Sequence, residues 1–334
     1  MKPQRNKVIV LGSIAYDYIM NFSENFVNAV SMNRETGEFQ STVTASSRIQ
    51  HYGGTAGNIS YNLGLLKFAN AHLICAVGKD FESLGYRNHI SKFKNIEIGV
   101  EVHEDLFTAA CYIVNDVNVN QMIIFHGGAL DKCEDINLRE KIKDPNDYSY
   151  AINSTQSVNA MMNFADQLYE LKIPAIFDPG QVTPLFTKDV LIKAIRKSNI
   201  LIGNAFEIQQ IKDKTEMTEE ELIKNVDAII ITKGGDGSEL IYKDKLENVN
   251  RINIPICNPK IFVDSTGAGD GYRAGFLAGL MLGMPLIDSC RLGSVVGCFV
   301  VETTGAQTQF YTIEDIQKQF LDSFGYVPSE LEAI

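Results

Sequence analysis

Short apolar runs recur along the chain, and each stops at a glycine or a small polar residue. They occupy 8–11 before Gly12, 73–77 before Gly78, 175–177 before Asp178, 200–202 before Gly203 and 229–231 before Thr232. Runs this short and uninterrupted suit strands buried on both faces, the environment of a parallel sheet. Helical patterns lie between them. Residues 58–67 put Ile59, Leu63 and Leu66 on one face, and 159–171 do the same with Met161, Met162, Ala165, Leu168 and Leu171. Residues 188–196 and 219–225 read alike. Strands alternating with helices predict βαβ units and an α/β fold around a mostly parallel sheet.

Two regions break the rhythm. Residues 18–50 are polar, and from Glu38 to Gln50 apolar Phe39, Val43, Ala45 and Ile49 alternate loosely with Ser, Thr and Gln. In 106–126, the segments 108–115 and 121–125 flank the turn Asp116-Val117-Asn118. Both regions read as antiparallel strands outside the main sheet. They form either a small β-subdomain built from two insertions or a pair of edge hairpins.

At ~150 residues per domain, 334 residues suggest about two domains or one large α/β domain. The net charge of −11 and pI of 5.0 disfavour nucleic acid and anionic membrane surfaces as partners, while leaving room for a local phosphate pocket. Six scattered cysteines form no C-x-x-C and read as free thiols in a reducing compartment. The run 8–11 is too short for a secretory signal, and no apolar stretch is long enough to span a membrane. The expectation is a cytoplasmic protein.

The richest stretch is Val263-Asp264-Ser265-Thr266-Gly267-Ala268-Gly269-Asp270-Gly271. Tyr272, Phe276 and Leu280 follow at helical spacing, so a closely packed helix starts near Gly269. Gly267, Ala268 and Gly269 then present backbone N–H groups at a helix N-terminus, an anion site. Asp270, in the first turn, can take the proton from a hydroxyl that attacks a phosphorus held there. No Gly-Lys-Ser/Thr follows, so this is not a Walker loop, and no G-x-G-x-x-G follows the first strand.

These residues carry a resemblance. Asp264 to Asp270 resembles the C-terminal signature of the ribokinase-like (PfkB) carbohydrate and nucleoside kinases, with Ser265 where Thr or Pro is usual. Gly53-Gly54-Thr55-Ala56-Gly57-Asn58 resembles the N-terminal signature, and Gly12-Ser13-Ile14-Ala15-Tyr16-Asp17 resembles the end of the first strand. The order and spacing fit the family over nearly the whole chain. The resemblance implies one ribokinase-like three-layer α/β/α domain over 1–334, with a discontinuous β-sheet lid from about 18–50 and 106–126.

It also implies roles. Asp270 is the matching catalytic base, and Gly267, Ala268 and Gly269 are the turn that stabilises the transferring phosphoryl group. Asp17 matches an aspartate that grips sugar hydroxyls, as a carboxylate can grip a diol. Ser13, Gly53, Gly54 and Asn58 complete the acceptor site. Asn204 and Glu207 match the family's Asn-x-x-Glu motif, with Glu207 holding Mg²⁺ through water and Asn204 near the nucleotide phosphates. Thr232, Gly234, Gly235 and Gly237 match the ATP loop. Gly305-Ala306-Gln307, with Asp264 and Thr266, matches a loop that holds a monovalent cation such as K⁺ in some members.

Within the family the resemblance is strongest to bacterial adenosine kinases, through the strings above, Asp178-Pro179-Gly180-Gln181 and Phe324-Gly325-Tyr326-Val327-Pro328. It implies that Phe107 and Phe125 stack on adenine and that Gln181 reads the base or ribose edge. Similar sequences often carry proline where Gly127 stands, so the lid hinge can differ. The expected function is ATP-dependent phosphorylation of the adenosine 5′-hydroxyl to give AMP and ADP. Another nucleoside, ribose or another free sugar is the alternative acceptor. Intact Asp270 and its glycine turn argue against a silent binding relative. The family includes monomers and homodimers, and both stay open.

Overall fold

In the computed structural model, residues 7–32, 36, 39–118 and 120–334 are described. Residues 1–6, and Glu38 of the loosely alternating stretch, lie outside them. A nine-stranded sheet forms the centre, in the order Val249–Ile254, Ser238–Lys243, Ala228–Thr232, Ile200–Asn204, Ala175–Phe177, Tyr148–Asn153, Lys7–Leu11, Asn70–Ile74 and Ile96–Ile98. From Ala228–Thr232 onward every pairing is parallel, and only the Ser238–Lys243 hairpin strand runs against its neighbours.

All five apolar runs are buried strands, because a parallel strand covered on both faces can be apolar throughout. The run 73–77 is cut at Cys75: Asn70–Ile74 stays in the main sheet, while Ala76–Gly78 leaves it to pair with Glu101–His103. Tyr148–Asn153, Ser238–Lys243 and Val249–Ile254 escaped the sequence pattern, since polar residues interrupt them and the last alternates at the sheet edge.

Alternate residues of the strands divide between two cores. Ile200, Ile202 and Ile230 join Phe276 and Leu277, whereas Leu201, Ile229 and Ile231 join Leu191, Ile195 and Ile208. Helices therefore cover both faces, the three-layer arrangement. The helices Thr55–Leu65, Val158–Leu171 and Lys188–Arg196 lie where the periodicity puts them. Glu219–Leu222 continues as a 3₁₀ turn through Asn225.

The second sheet has four strands, in the order Gln121–His126, Ala109–Asn115, Ala15–Phe22 and Ala45–Gly53. Two separate insertions build it, but the first begins earlier than residue 18. The first core strand ends at Leu11, the chain turns through 12–14, and Asp17 stands inside a small-sheet strand rather than at a strand end. Gly127 takes φ −68°, a value proline would also impose, so this departure leaves the local backbone as it is. All six cysteines are free. Among the described residues no helix is long and apolar enough to cross a membrane.

The helices Ala268–Leu282 and Leu286–Val300 pack backbone to backbone. A Cβ added to Gly275 would stand 2.5 Å from Leu292 O, and one on Gly279 would stand 2.7 Å from Ser289 Cα. These contacts fix where the Asp270 helix begins. Gly275→Val should therefore destabilise the protein by ~1–3 kcal/mol or more, read as a lower urea midpoint. An unchanged midpoint would show that the two helices can slide apart freely.

Candidate active site

The helix carrying Asp270 starts at Ala268, with Gly267 as its left-handed N-cap at φ 79°. A side chain on Gly267 would strike Ala306, so the turn lies directly on the 305–307 loop. Ala268 N donates to Ser265 O at 3.1 Å, which closes the turn. The following N–H groups of Gly269 and Asp270 precede any helical carbonyl and point outward as donors. Asp270 is partly exposed at this point yet surrounded by protein on its other sides. Burial pushes its carboxyl up to about 6; Arg273 and the Asn58 amide pull it down, and Asp178 and Glu207 add to the rise.

Asn58 sits inside the first turn of Thr55–Leu65, whose N-cap is Gly54, and its Nδ2 donates to Asp270 Oδ2 at 2.7 Å. Its Oδ1 accepts from Gln307 Nε2 at 2.8 Å. Ser13, expected at the acceptor, is buried and holds the glycine turn together. Its hydroxyl accepts from Thr55 N at 3.0 Å, and its carbonyl accepts from Ala56 N at 2.9 Å. Gly54 has φ 86°, and a Cβ on Gly53 would collide with the Asp17 carboxylate, so both glycines are required by geometry.

A buried guanidinium anchors the other side. Arg273 donates to Asp178 through Nε at 2.5 Å and through a terminal nitrogen at 2.6 Å, and to Gly269 O at 3.0 Å. The same group lies 3.9 Å from Glu207. Asn204 and Glu207 form a capping box: Asn204 Oδ1 accepts from Glu207 N at 2.9 Å, and Glu207 Oε2 accepts from Asn204 N at 2.8 Å. Burial raises the Glu207 carboxyl, against the pull of Arg273. Among the described residues, no group of three or more His, Cys, Asp or Glu side chains is arranged to hold a metal ion. With Asp178 taken by Arg273, Glu207 is left as a sparse carboxylate site. That donor set fits an ion that arrives with phosphates and keeps its own waters.

The small sheet presents ordered rows on the face that carries Asp17. Register partners across it are His51, Asp17, Cys111 and Phe125; then Ile49, Ile19, Ile113 and Ile123; then Ser47, Asn21, Asn115 and Gln121. Partners in register share a face. Gln121 donates to Asn115 at 3.0 Å, and Asn21 donates to Ser47 at 2.9 Å. Burial lifts the Asp17 carboxyl to about 6, partly offset by His51. His51 also lies against the Gly305 loop, so this row faces the core domain.

The structure does not bring Phe107 and Phe125 into one clamp. Phe125 stands in the Asp17 row. The backbone around Phe107 is pinned elsewhere: Lys79 N donates to Leu106 O at 3.0 Å, Thr108 N to Asp80 at 2.7 Å and Ala129 N to Phe107 O at 2.8 Å. The Phe107 ring lies under the Lys79 ammonium at 4.4 Å, in a cavity with Tyr18, Tyr112 and His126 of the opposite face. Gln181 is exposed in the 3₁₀ segment that packs on the Ala205–Thr215 helix, away from the small sheet.

Behind the Asp270 turn lies a cavity of about 360 Å³, lined by Thr232, Gly234, Gly235 and Gly237 on one side and by Phe262 and Tyr272 among others. The segment 233–237 is a hairpin, pairing Thr232 with Ser238, and also a cavity wall. No charged side chain lines this cavity, which suits a flat heterocycle beside the anion turn. Both Asp264 oxygens accept backbone N–H groups, from Thr266 at 2.9 Å and Gly305 at 3.0 Å. Burial would raise its carboxyl, but these N–H groups outweigh that and hold it low.

The pfkB family carbohydrate kinase model matches residues 5–313. The chain belongs to the pfkB family. A nucleoside kinase of Methanocaldococcus jannaschii is 30% identical over 321 residues, covering 95% of this chain and 97% of that protein. Its solved structure, described as an archaeal member of the ribokinase family, superposes with TM-score 0.83 at 28% identity, covering 95% and 98%. The Burkholderia thailandensis nucleoside kinase in complex with ADP-inosine gives TM-score 0.77 at 29% identity, covering 96% and 97%. As a pfkB member the protein is a phosphotransferase with an alcohol acceptor. Its ribokinase-like fold is the three-layer domain with a small second sheet described above.

Sequence reasoning missed Arg273, Asp178, His51 and the isoleucine row. Arg273 carried one readable signal, its position three residues after Asp270 on the same helix. If Asp270 is the base, Asp270→Asn should lower kcat by ~10²–10⁴. Because the base must be ionised, kcat should fall as pH drops below about 6. Full activity of the Asn variant, or a flat acid limb, would rule the role out.

Proposed function

We propose that this kinase transfers the γ-phosphoryl group of ATP to the 5′-hydroxyl of a purine nucleoside, adenosine among them. The observation that carries the reading is the pair of adjacent rows on the small sheet. Asp17 offers a carboxylate to a ribose diol, and one row further the four side chains of Ile49, Ile19, Ile113 and Ile123 offer a base-sized apolar surface. A free sugar has nothing to bury there. Aliphatic side chains cannot tell a 6-amino from a 6-oxo purine, so adenosine and inosine should both be accepted. The inosine complex of the Burkholderia relative supports the same class.

In this reading the nucleotide's base occupies the apolar cavity, and its phosphates meet the N–H groups of Gly269 and Asp270. Asp270 takes the 5′-hydroxyl proton as the oxygen attacks phosphorus. Glu207 would hold, through water, a Mg²⁺ ion brought by ATP, which would supply neutralisation of the phosphate charge. A monovalent cation, K⁺ among them, would sit beside Asp264 and the 305 loop. The small sheet acts as a lid hinged at 12–14 and at Gly53-Gly54, and its closure excludes water.

The deciding experiment measures ADP formed from Mg-ATP with adenosine, inosine and ribose. Nucleosides should be turned over with a kcat/KM well above that for ribose, and Ile19→Asp should raise the nucleoside KM by ~10-fold or more. Ribose turnover above that of both nucleosides would overturn the acceptor assignment.

A further inference from the structure

We propose that Gln307 is a positioning residue for this reaction, holding the Asn58 amide in the orientation that donates to Asp270. The proposal rests on Asp270 acting as the base. Gln307 is 4% exposed and follows the Leu286–Val300 helix in the loop beneath the anion turn. Its Nε2 lies 2.8 Å from Asn58 Oδ1 and 2.7 Å from the Tyr86 hydroxyl. Tyr86 in turn donates to Gly53 O at 2.7 Å. Asn58 closes the series with its 2.7 Å donation to Asp270.

The two ends of this relay fix its direction. A backbone carbonyl only accepts, so Tyr86 must donate to Gly53 and take a proton from Gln307. Gln307 is thereby committed to present N–H groups to both neighbours. Asn58 must then accept on Oδ1 and turn Nδ2 toward Asp270. Nothing steric enforces that choice, because an amide turned over has nearly the same shape. Only the ionised carboxylate of Asp270 is matched to the donor it meets. The relay also ties the base to Gly53, the last residue of a small-sheet strand.

Other groups act on Asp270 as well: Arg273 from its own helix, and Asp178 and Glu207 from the neighbouring strand ends. His89 stands beside Gln307, and burial holds its imidazole down to about 4, so it stays neutral across the working range. Asp17, whose carboxyl also lies near 6, stands against Gly53 at the far end of the relay, so the shift is assigned to Asp270 only when Asn58→Ala, which leaves Tyr86 and Gly53 in place, gives the same one.

Gln307→Met removes the donors while keeping the volume. Its kcat should fall by ~10-fold or more, with KM for ATP changed by less than ~3-fold, and the acid limb of kcat should move to higher pH, because the lost Asn58 donation had favoured the carboxylate. Asn58→Ala should do the same. The double variant should be no worse than Asn58→Ala alone, since both act through one hydrogen bond. If the methionine variant fails to fold, Gln307→Leu, uncharged and also without N–H groups, should show the same upward limb. An unmoved limb, losses that multiply in the double variant, or a fall in Tm alone would overturn the proposal. Full activity of Asp270→Asn would instead remove the reading beneath it, and the two failures are separable.

Discussion

One buried guanidinium makes the catalytic end of this protein tolerable. Asp178 follows the strand Ala175–Phe177, Glu207 and Asp270 lie in the first turns of their helices, and Arg273 faces all three. Like charges this close would drive one another to protonate. Arg273 holds Asp178 in a two-pronged pair, fixes the first turn of its own helix through Gly269 O, and tempers the rise on the other two carboxyls. A buried pair of this kind adds little net stability, but removing one partner would leave an unmatched charge at a cost of ~3–5 kcal/mol. On the proposed function, what it secures is a base whose carboxyl stays at about 6 rather than higher.

The two sheets divide the labour. The large sheet delivers loops to one edge, where, in the proposed function, helix N-termini and the 305 loop handle phosphate chemistry. The glycine-lined contact between two long helices sets the height of Asp270 over that edge. The small sheet carries polar and apolar rows, which the proposed function assigns to the acceptor. The overall charge of −11 is no obstacle to a phosphate-handling site, because backbone N–H groups at a helix start can provide anion contacts without lysines.

Much of the fold was legible from the apolar runs, because a strand covered on both faces leaves an unbroken hydrophobic signature. Tyr148–Asn153 and the edge pair Ser238–Lys243 and Val249–Ile254 were not, since partial exposure mixes polar residues into them. The Asp270 turn was legible because glycine, small residues and an acid leave few other uses. Phe107 misled because a ring's facing depends on distant anchors, here Lys79, Asp80 and Ala129. The side chains of Ser13 and Asn204 hold a glycine turn and cap a helix, structural contacts that the motifs alone do not show.

By itself the sequence determined the α/β class, the alternation of the unbroken apolar strands with helices, and the position of a glycine-rich helix start followed by an acid. Those features follow from local periodicity and from chemistry between near neighbours. Tertiary structure alone decided which side chains converge on Asp270. Asn58 meets it across 212 residues and Gln307 meets Asn58 across 249. Which row of the small sheet faces the core was likewise decided by register between strands from two insertions. Contacts of that span leave no periodic trace in the chain, because they are fixed by how whole elements pack.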